Sequence, residues 1–347
     1  MTTHVPTAIL LFNLGGPDDL AAVEPFLVNL FSDREIIELP LGARLQPLMA
    51  RLIARLRGPS VRENYARIGG GSPQLRITRS QAAALEDRLN AALGDSRFRV
   101  FIAMRYSRPG ADDALAAIAA AGIRRIVTLS LFPHWSKATT GSSRNEFERV
   151  VRQPRWRDHA FEVTHIEHYA SDSGYLDAMA ETVRRAWRRI PEPHRDAAVI
   201  LFSAHGLPQK FIDEGDPYVD HIQATRAGIL ERLGLKNREL LAYQSRTGPV
   251  KWLGPGTEEV IAELGHEGVR DLLVVPLSFV SDHIETLYEV DLLFAETARG
   301  AGITGYYRPE ALNSEPLFIE ALAGLIERHL GLESRRFRTG ALAGVPA

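Results

Sequence analysis

The sequence predicts an α/β protein made of two doubly wound units, each with its own parallel sheet. Three observations predict this class. Short apolar runs alternate with amphipathic stretches from one end of the 347-residue chain to the other. The apolar runs are continuous in Val, Ile and Leu, which is typical of strands covered on both faces. The order strand, helix, strand, helix occurs twice, as expected for two units built from crossover connections.

The apolar runs predict strands, and the stretches between them predict helices. We expect strands at residues 7–14, 98–106, 125–132, 161–169, 197–205, 239–246 and 270–278. We expect helices at residues 20–31, 74–93, 112–121, 141–151, 174–188, 217–233, 257–264 and 283–298.

A domain boundary is expected near residue 168, after the fourth strand and before a Ser-Asp-Ser helix start. This predicts one domain over residues 1–168 and a second over residues 169–330. The helix at 315–330 is expected to pack back across both halves. The tail at 331–347 is rich in Arg, Gly and Ala and is expected to be frayed.

The composition excludes several classes of function. The hydrophobic fraction of 45% and the charged fraction of 24% are those of an ordinary soluble protein. The formal net charge of -2 predicts no general attraction to nucleic acid. The chain has no cysteine, which excludes disulfides, thiolate zinc sites and cysteine-held iron–sulfur clusters. A secretory signal pattern and an apolar run of ~20 residues are both missing, so we expect a cytoplasmic protein.

Unusual residue groups follow the predicted strands, where sheets of this class bind ligands. They lie at residues 13–17, 105–106, 133–136, 203–208, 244–249 and 281–283. In the first group, Gly15 and Gly16 end a strand, but the spaced G-x-G-x-x-G pattern is missing and Pro17 has no backbone N–H. A tight turn or a pocket wall is therefore favoured over a nucleotide site.

His205 is a candidate catalytic or metal-binding residue. It ends an apolar run, and Gly206 and Pro208 then force the chain to turn, which presents the imidazole at the mouth of the crevice. A buried structural histidine is the alternative for a single His. An imidazole that titrates near neutral pH can accept a proton or bind a divalent metal ion.

A row of acidic residues follows the last predicted strand. Asp282, Glu285 and Glu289 are spaced i, i+3 and i+7, which predicts three carboxylates on one helix face. Like charges at this spacing repel, so a solvated helix face is the alternative reading, and the adjacent His283 favours a site. Carboxylate and imidazole groups can hold ferrous iron and can accept protons. The H-E-x-x-H pattern of a fixed catalytic zinc site is missing.

Several segments, in the same order along the chain, resemble the ferrochelatase family. The matching segments are residues 12–17, 65–73, 104–106, 139–143, 201–208, 215–218, 243–246, 252–255 and 279–289. The resemblance covers about residues 7–330. The blocks His-Gly-Leu-Pro at 205–208 and Ser-Asp-His-Ile-Glu-Thr-Leu-Tyr-Glu at 281–289 are its most specific parts.

The resemblance implies two Rossmann-like domains with a porphyrin cleft between them. It implies an enzyme that inserts ferrous iron into protoporphyrin IX to form protohaem, the final step of haem biosynthesis. His205 and Glu285 would be the central catalytic and metal-binding pair, facing each other across the porphyrin ring. Asp282, His283 and Glu289 would form an acidic track from that centre. The residues lining the cleft would be Asn13, Leu14, Gly15, Tyr65, Arg105, Tyr106, Trp252 and Arg246. Of these, Arg105 and Arg246 would pair with the propionates of the ring.

Two departures from the family pattern matter. Many members carry a C-terminal cysteine cluster for a [2Fe–2S] centre, which this chain without cysteine cannot form. In some members the acidic track extends one turn further, but this chain has Leu293 there. Movement of protons or metal beyond Glu289 would then use Asp291, water or another route. The Gly-Gly-Gly-Ser-Pro segment at 69–73 resembles the protoporphyrin-using branch more than the coproporphyrin-using one.

The residues leave several questions open. His205 can be the proton acceptor or the last metal ligand. The segment 41–57 has leucines at helical spacing with arginines between them, which fits a helix packed on the core or a lip resting on anionic lipid. Rival functions are a chelatase for cobalt or nickel, a tetrapyrrole carrier and, less favoured, a nucleotide-dependent oxidoreductase. We expect no nucleotide cofactor, no nucleic-acid partner, and a monomer or homodimer.

Overall fold

The computed structural model describes residues 5–37, 42–91, 96–246 and 250–332, and it contains two four-stranded parallel sheets. The strands are β1 (Thr7–Asn13), β2 (Phe98–Met104), β3 (Arg125–Ser130), β4 (Glu162–Ile166), β5 (Val199–His205), β6 (Glu239–Gln244), β7 (Asp271–Pro276) and β8 (Gly305–Tyr307). The strand orders, β2-β1-β3-β4 and β6-β5-β7-β8, describe the same topology twice. The predicted class, two Rossmann-like doubly wound units, is confirmed.

Helices cover both sheets. They are α1 (Val23–Ser32), α2 (Gln46–Arg67), α3 (Gln74–Ala91), α4 (Ala111–Ala120), α5 (Ser142–Val151), α6 (Ser173–Arg188), α7 (Gln209–Asp213), α8 (Tyr218–Leu233), α9 (Thr257–His266), α10 (Ala295–Gly300) and α11 (Pro316–His329). Two further segments, Lys137–Gly141 and Glu285–Phe294, are π-helices, and Pro154–His159 and Glu192–Ala197 are 3₁₀-helices.

The central strand of each sheet is buried along its whole length or nearly so. Every residue of β1 is buried, and Thr7 pairs with Phe98 on one side and Arg125 on the other. In β5 only His205, the last residue, is partly exposed. Burial on both faces explains why these strands are continuous apolar runs. It also means that a polar side chain at the end of such a strand enters the space above the sheet.

The largest apolar cluster contains side chains from both sheets, including Leu11 from the first and Phe202 from the second. Helix α11 lies between the halves and contributes Phe318 to this cluster. The α3 residue Arg88 forms ion pairs with two α11 carboxylates, Glu320 and Glu327. The two halves therefore share one core on this side, and the boundary near residue 168 stays a prediction.

The structure contains one strand and one helical extension that the sequence did not predict, and one predicted helix has a different winding. Strand β8 was missed because its three residues are too few to produce an apolar run. Helix α2 continues past Pro59 to Arg67, although proline normally ends a helix. The helix expected at 283–298 is π-helical over most of its length. The predicted frayed tail lies outside the described residues except for 331 and 332.

The leucines of the segment 41–57 are not core residues where the structure describes them; Leu41 lies outside that part. Helix α2 packs against α1 through small side chains, Ala50 and Ala54. On the other side, Leu48, Leu52 and Leu56 are 64%, 58% and 72% exposed. The core-packed interpretation is therefore wrong for these leucines. Within the described ranges, no helix is both long and apolar enough to cross a membrane.

We expect Phe318→Ala to destabilise the protein strongly. The side chain is fully buried between the two halves, and truncating a buried Phe typically costs about 3–5 kcal/mol through lost burial and the remaining cavity. Chemical denaturation measures the loss. The neighbouring Leu317 is exposed, so Leu317→Ala serves as a control and should change the free energy of unfolding by less than about 0.5 kcal/mol. Equal losses for the two variants would contradict this account of the core.

Candidate active site

The candidate site lies at the carboxyl edge of the second sheet. Strands β6, β5 and β7 are neighbours, so their carboxyl ends lie side by side. His205 ends β5, Ser245 follows β6, and Glu285 begins the π-helix that follows β7. Parallel strands place such residues together even though they are far apart in sequence.

His205 and Glu285 are joined by a hydrogen bond at the centre of the site. The His205 Nδ1 atom lies 2.7 Å from the Glu285 Oε2 atom, which leaves no room for a ring between them. The prediction that the two residues face each other across the porphyrin is therefore wrong. Burial alone would lower the pKa of His205, but the charge and the hydrogen bond of Glu285 outweigh burial and raise it. Burial likewise opposes ionisation of Glu285, yet His205 holds the pKa of this carboxyl well below its ordinary value. The His205 side chain remains 33% exposed, which leaves it accessible from the cleft.

The backbone of His205 is fixed by two hydroxyl groups. Its N–H donates to Ser278 Oγ at 2.8 Å, and its carbonyl accepts from the Tyr218 hydroxyl at 3.0 Å. The two hydroxyls also contact each other at 2.6 Å. Tyr218 lies in a segment that the sequence analysis had matched, but no sequence signal gave it this role.

Ser245 joins the two acidic residues of the π-helix. Its hydroxyl lies 2.9 Å from Glu285 Oε2 and 2.5 Å from Glu289 Oε2. One hydroxyl proton can be donated to only one oxygen, so the second contact is satisfied when Glu289 is protonated and donates to Ser245. Burial and the charge of Glu285 raise the pKa of Glu289 to about 7. Ser245 was not predicted as a site residue.

His283 is buried beside the central pair. Its Nδ1 atom lies 3.0 Å from the Ser281 carbonyl oxygen, so the Nδ1–H group donates a hydrogen bond to that oxygen. Its Nε2 atom then faces Glu285 Oε1 at 3.9 Å. The ring of Phe279 packs edge-on against His283 at 4.3 Å between centroids. The structure therefore brings His283 to the predicted centre.

The prediction that Asp282 shares a helix face with Glu285 and Glu289 is wrong. Asp282 precedes the π-helix, and its carboxylate accepts hydrogen bonds from Arg308 at 3.2 Å and Asn313 at 2.9 Å. The expected spacing assumed an α-helix. The helix that forms is a π-helix, with i→i+5 hydrogen bonds, and it begins only at Glu285. Glu285 and Glu289 are four apart, and Ser245 contacts both.

Tyr65 brings the first half of the chain to this centre. It lies in the last turn of α2 as a buried side chain, in the apolar cluster against which Ile284, the residue before Glu285, also packs. Burial and the charge of Glu285 both raise the pKa of Tyr65. A Cβ atom on Gly16 would lie 3.7 Å from the Tyr65 hydroxyl, so this glycine packs directly beside it.

The residues at the end of β1, 13–15, contact other parts of the protein through hydrogen bonds and close packing. Asn13 is buried, donates to Thr78 Oγ1 at 3.0 Å and accepts from Gln74 Nε2 at 2.9 Å. Gly15 has φ +83°, and a Cβ atom there would lie 2.2 Å from Ser107 Oγ. Leu14 is half-buried and packs on the cluster around Tyr65. Asn13 therefore connects the end of β1 to α3 through hydrogen bonds. At Gly15, the positive φ and the close approach of Ser107 require glycine.

Arg105 and Tyr106 share a buried carboxylate that the sequence analysis missed. Asp33 Oδ2 accepts from Arg105 Nη2 at 2.7 Å, from the Tyr106 hydroxyl at 2.6 Å and from Ser142 Oγ at 2.6 Å. Burial would raise the pKa of Asp33, but these donors lower it. Asp33 already pairs with Arg105, which is 72 residues away in sequence. No local pattern could have identified Asp33.

Trp252 and Arg246 flank the turn after His205. A Cβ atom on Gly206 would lie 3.6 Å from the Trp252 ring, 3.4 Å from Arg246 Cγ and only 2.8 Å from the Gln244 carbonyl oxygen. The Arg246 side chain is exposed and donates to Glu259 at 3.0 Å. Both predicted residues therefore lie next to the catalytic candidate. Within the described residues, no group of three or more His, Asp or Glu is arranged to hold a metal ion.

The fold and the family are shown by comparison with known proteins. The structure is similar to two solved chelatase structures, SirB from Bacillus subtilis with Fe3+ and the cobalt complex of the sirohydrochlorin chelatase SirB from Bacillus subtilis subspecies spizizenii. The first has a TM-score of 0.54 at 13% identity and covers 93% of this chain and 95% of that one. The second has a TM-score of 0.53 at 13% identity and covers 96% and 99%. These likenesses define the chelatase class of fold.

The family model named Ferrochelatase matches residues 6–330, and the chain belongs to the ferrochelatase family. The ferrochelatase of Geotalea uraniireducens is 50% identical over 327 residues, covering 94% of this chain and 99% of that protein. The ferrochelatase of Geotalea daltonii is 51% identical, with coverages of 92% and 97%. The ferrochelatase of Synechocystis sp. is 46% identical, with coverages of 92% and 81%. The resemblance found in the sequence is confirmed.

We expect Glu289→Gln to change how stability depends on pH. The folded protein holds a proton on Glu289 up to pH about 7, whereas the unfolded chain releases it near 4.5. The free energy of unfolding therefore falls across this window as pH rises. The glutamine side chain does not titrate, so this decrease in the free energy of unfolding is missing in the variant. Its stability relative to wild type should rise by on the order of 3 kcal/mol between about pH 4.5 and about pH 8.

Denaturation at the two pH values measures this difference. Glu63→Gln, on the exposed face of α2, is the matched control and should show no such rise. A difference between Glu289→Gln and wild type that stays constant with pH would contradict the assigned environment of Glu289.

Proposed function

We propose that this chain inserts ferrous iron into protoporphyrin IX, with the ring held between the two halves and centred on His205 and Glu285. The contact of these two side chains at 2.7 Å, at the cleft edge of the second sheet, is the observation that carries the proposal. Membership of the ferrochelatase family supports it. In this proposal Tyr65 from the first half and Trp252 from the second line the cleft that holds the ring.

The reaction requires base catalysis at the ring centre. Two pyrrole N–H groups must lose their protons as Fe²⁺ takes their place. In our proposal, His205 donates its Nδ1 proton to Glu285 in a hydrogen bond and presents Nε2 to the pyrrole proton. Glu285 then stabilises the imidazolium that forms. Glu285 raises the pKa of His205, which makes His205 a better base, and the hydrogen bond between them keeps the imidazole ring in one orientation.

Glu289 and Ser245 extend the site away from the ring. Ser245 contacts the carboxylates on both sides of it, which provides a continuous hydrogen-bonded connection from Glu285 to Glu289. A carboxyl group that titrates near neutral pH is suited to exchange protons with water. We propose that Glu289 first releases its proton to water, after which Ser245 donates to Glu289 and accepts the proton that Glu285 has received from His205. This relay operates once for each of the two pyrrole protons. We also propose that His283 and Glu285 guide the ferrous ion to the ring. In this scheme Asp282 has a structural role.

The ring carboxylates need a cationic partner. Arg105 is the weaker candidate, because Asp33 already compensates its charge in a buried network. Arg246 is exposed, pairs with the surface carboxylate of Glu259 and lies beside Gly206 at the cleft. We therefore propose Arg246 as a propionate-binding residue and Arg105 as support for the cleft wall. An exposed ion pair is weak, so exchange of Glu259 for a propionate costs little.

We expect His205→Ala and Glu285→Gln to abolish iron insertion while porphyrin still binds. Removing either partner leaves the base absent or wrongly oriented, and we expect the rate to fall at least about a hundredfold. Anaerobic absorbance with protoporphyrin IX and Fe²⁺ measures turnover, and quenching of porphyrin fluorescence measures binding. Coproporphyrin III, cobalt and nickel are tested in parallel. Tight porphyrin binding by the wild type without turnover for any metal would instead identify a tetrapyrrole carrier.

We also propose that α2 forms a lip that rests on an anionic membrane surface. Four exposed leucines, Leu45, Leu48, Leu52 and Leu56, recur along one helix at helical spacing. Arg44, Arg51, Arg55 and Arg57 are exposed between them. Exposed apolar side chains with adjacent cations suit an interface between lipid chains and anionic headgroups. An oily porphyrin could enter the cleft from such a surface.

The lip is tested with Leu48→Gln, Leu52→Gln and Leu56→Gln combined. Loss of three apolar contacts should weaken binding to vesicles containing phosphatidylserine by at least about tenfold, because each leucine contributes burial energy on insertion. Leu317→Gln, at an exposed leucine of α11, is the matched control and should bind like wild type. Sedimentation with vesicles measures the effect. A wild-type protein that stays in the supernatant would contradict the lip.

A further inference from the structure

The π-helix that carries Glu285 and Glu289 forms hydrogen bonds and ion pairs with one short segment of chain from β8 to α11. A π-helix is rare and occurs mostly as a single turn, so a π-helix of ten residues needs support from other contacts. The segment that provides support begins in β8 and ends before α11. It contributes Tyr306, Arg308 and Asn313, all remote in sequence from the central His205.

Arg308 makes the most extensive of these contacts. Its Nε and Nη2 atoms donate to the two oxygens of Asp291, inside the π-helix, at 2.5 and 2.7 Å. Its Nη1 atom donates to Asp282, before the π-helix, at 3.2 Å. The side chain is only 13% exposed. A paired guanidinium–carboxylate contact of this kind is directional as well as strong.

Two further groups hold the same stretch of chain. Asn313 donates to Asp282 Oδ2 and accepts from the Asp282 backbone N–H, both at 2.9 Å. The Tyr306 hydroxyl donates to the Val290 carbonyl oxygen at 2.6 Å. The π-helix is therefore fastened near its start by Asp282 and within its body by Val290 and Asp291. Glu285 and Glu289 lie between these points.

The charges on this stretch explain why an arginine is suited to the position. Asp282, Glu285, Glu289 and Asp291 are four acids within ten residues, and like charges this close repel. Arg308 compensates the two aspartates. His205 and Ser245 are left to contact the two glutamates.

We propose that Arg308 is a positioning residue for metal insertion: it sets the winding of the π-helix and thereby aligns Glu285 with His205 and Glu289 with Ser245. Arg308 does not itself contact His205 or the cleft walls in this scheme. The inference rests on the proposed function of His205 and Glu285, and extends it to a residue with no chemical step of its own.

The test compares Arg308→Met, Arg308→Lys and Asp291→Asn with wild type. We expect Arg308→Met to lower kcat for iron insertion at least about tenfold, while the Kd for protoporphyrin IX from fluorescence quenching changes less than about twofold. Lysine keeps the charge but cannot pair with both oxygens of Asp291 at once, so Arg308→Lys should lie between wild type and Arg308→Met. Asp291→Asn removes the same pairing with little change in volume and should also lower kcat.

Arg88→Met is the matched control. Arg88 also bridges two carboxylates and is 20% exposed, but it joins α3 to α11 away from the π-helix. It should lower thermal stability without a comparable loss of kcat. If Arg308→Met and Asp291→Asn are folded and retain wild-type kcat, the inference is overturned. The inference is also overturned if Arg88→Met and Arg308→Met lower kcat by equal factors. A wild-type protein without turnover would overturn the proposed function instead.

Discussion

The contact between His205 and Glu285 is the interaction on which the site depends. It joins the end of β5 to the first residue of the π-helix, and both partners are largely removed from water. A buried charge without its partner is costly, so neither group can be moved without the other. The surrounding contacts serve this pair. Ser278 and Tyr218 fix the His205 backbone, and Ser245 contacts the Glu285 carboxylate.

The two halves of the molecule contribute different parts of the site. The second sheet supplies the ionisable groups, because the carboxyl ends of β6, β5 and β7 lie side by side. The first half supplies Tyr65 and a shared apolar cluster with Ile284. The last residue of α2, Arg67, lies over the Tyr288 ring and pairs with Glu296. The helix that carries the exposed leucines is thus in direct contact with the helix that carries the acids.

The sequence predicts the two sheets and the location of the site correctly, but it does not predict the detailed geometry of the site. Buried parallel strands appear in the sequence as continuous apolar runs, so His205 could be placed at a strand end from the residue pattern alone. The position of Asp282 could not be predicted, because its partner Arg308 follows 26 residues later and the spacing argument assumed an α-helix. Asp33 was missed for a similar reason, since its contact with Arg105 spans 72 residues. The leucines of α2 have helical spacing whether they face the core or solvent, so periodicity alone could not orient them.

The central claim is that His205 and Glu285 act as one unit. A double-mutant cycle of His205→Ala and Glu285→Gln, measured by anaerobic single-turnover iron insertion into bound protoporphyrin IX, tests it most directly. Residues that act as a unit are not additive, so we expect the double variant to be no more than about threefold slower than the slower single variant. Rate losses that multiply in the double variant would show that the two residues act independently and would contradict the account.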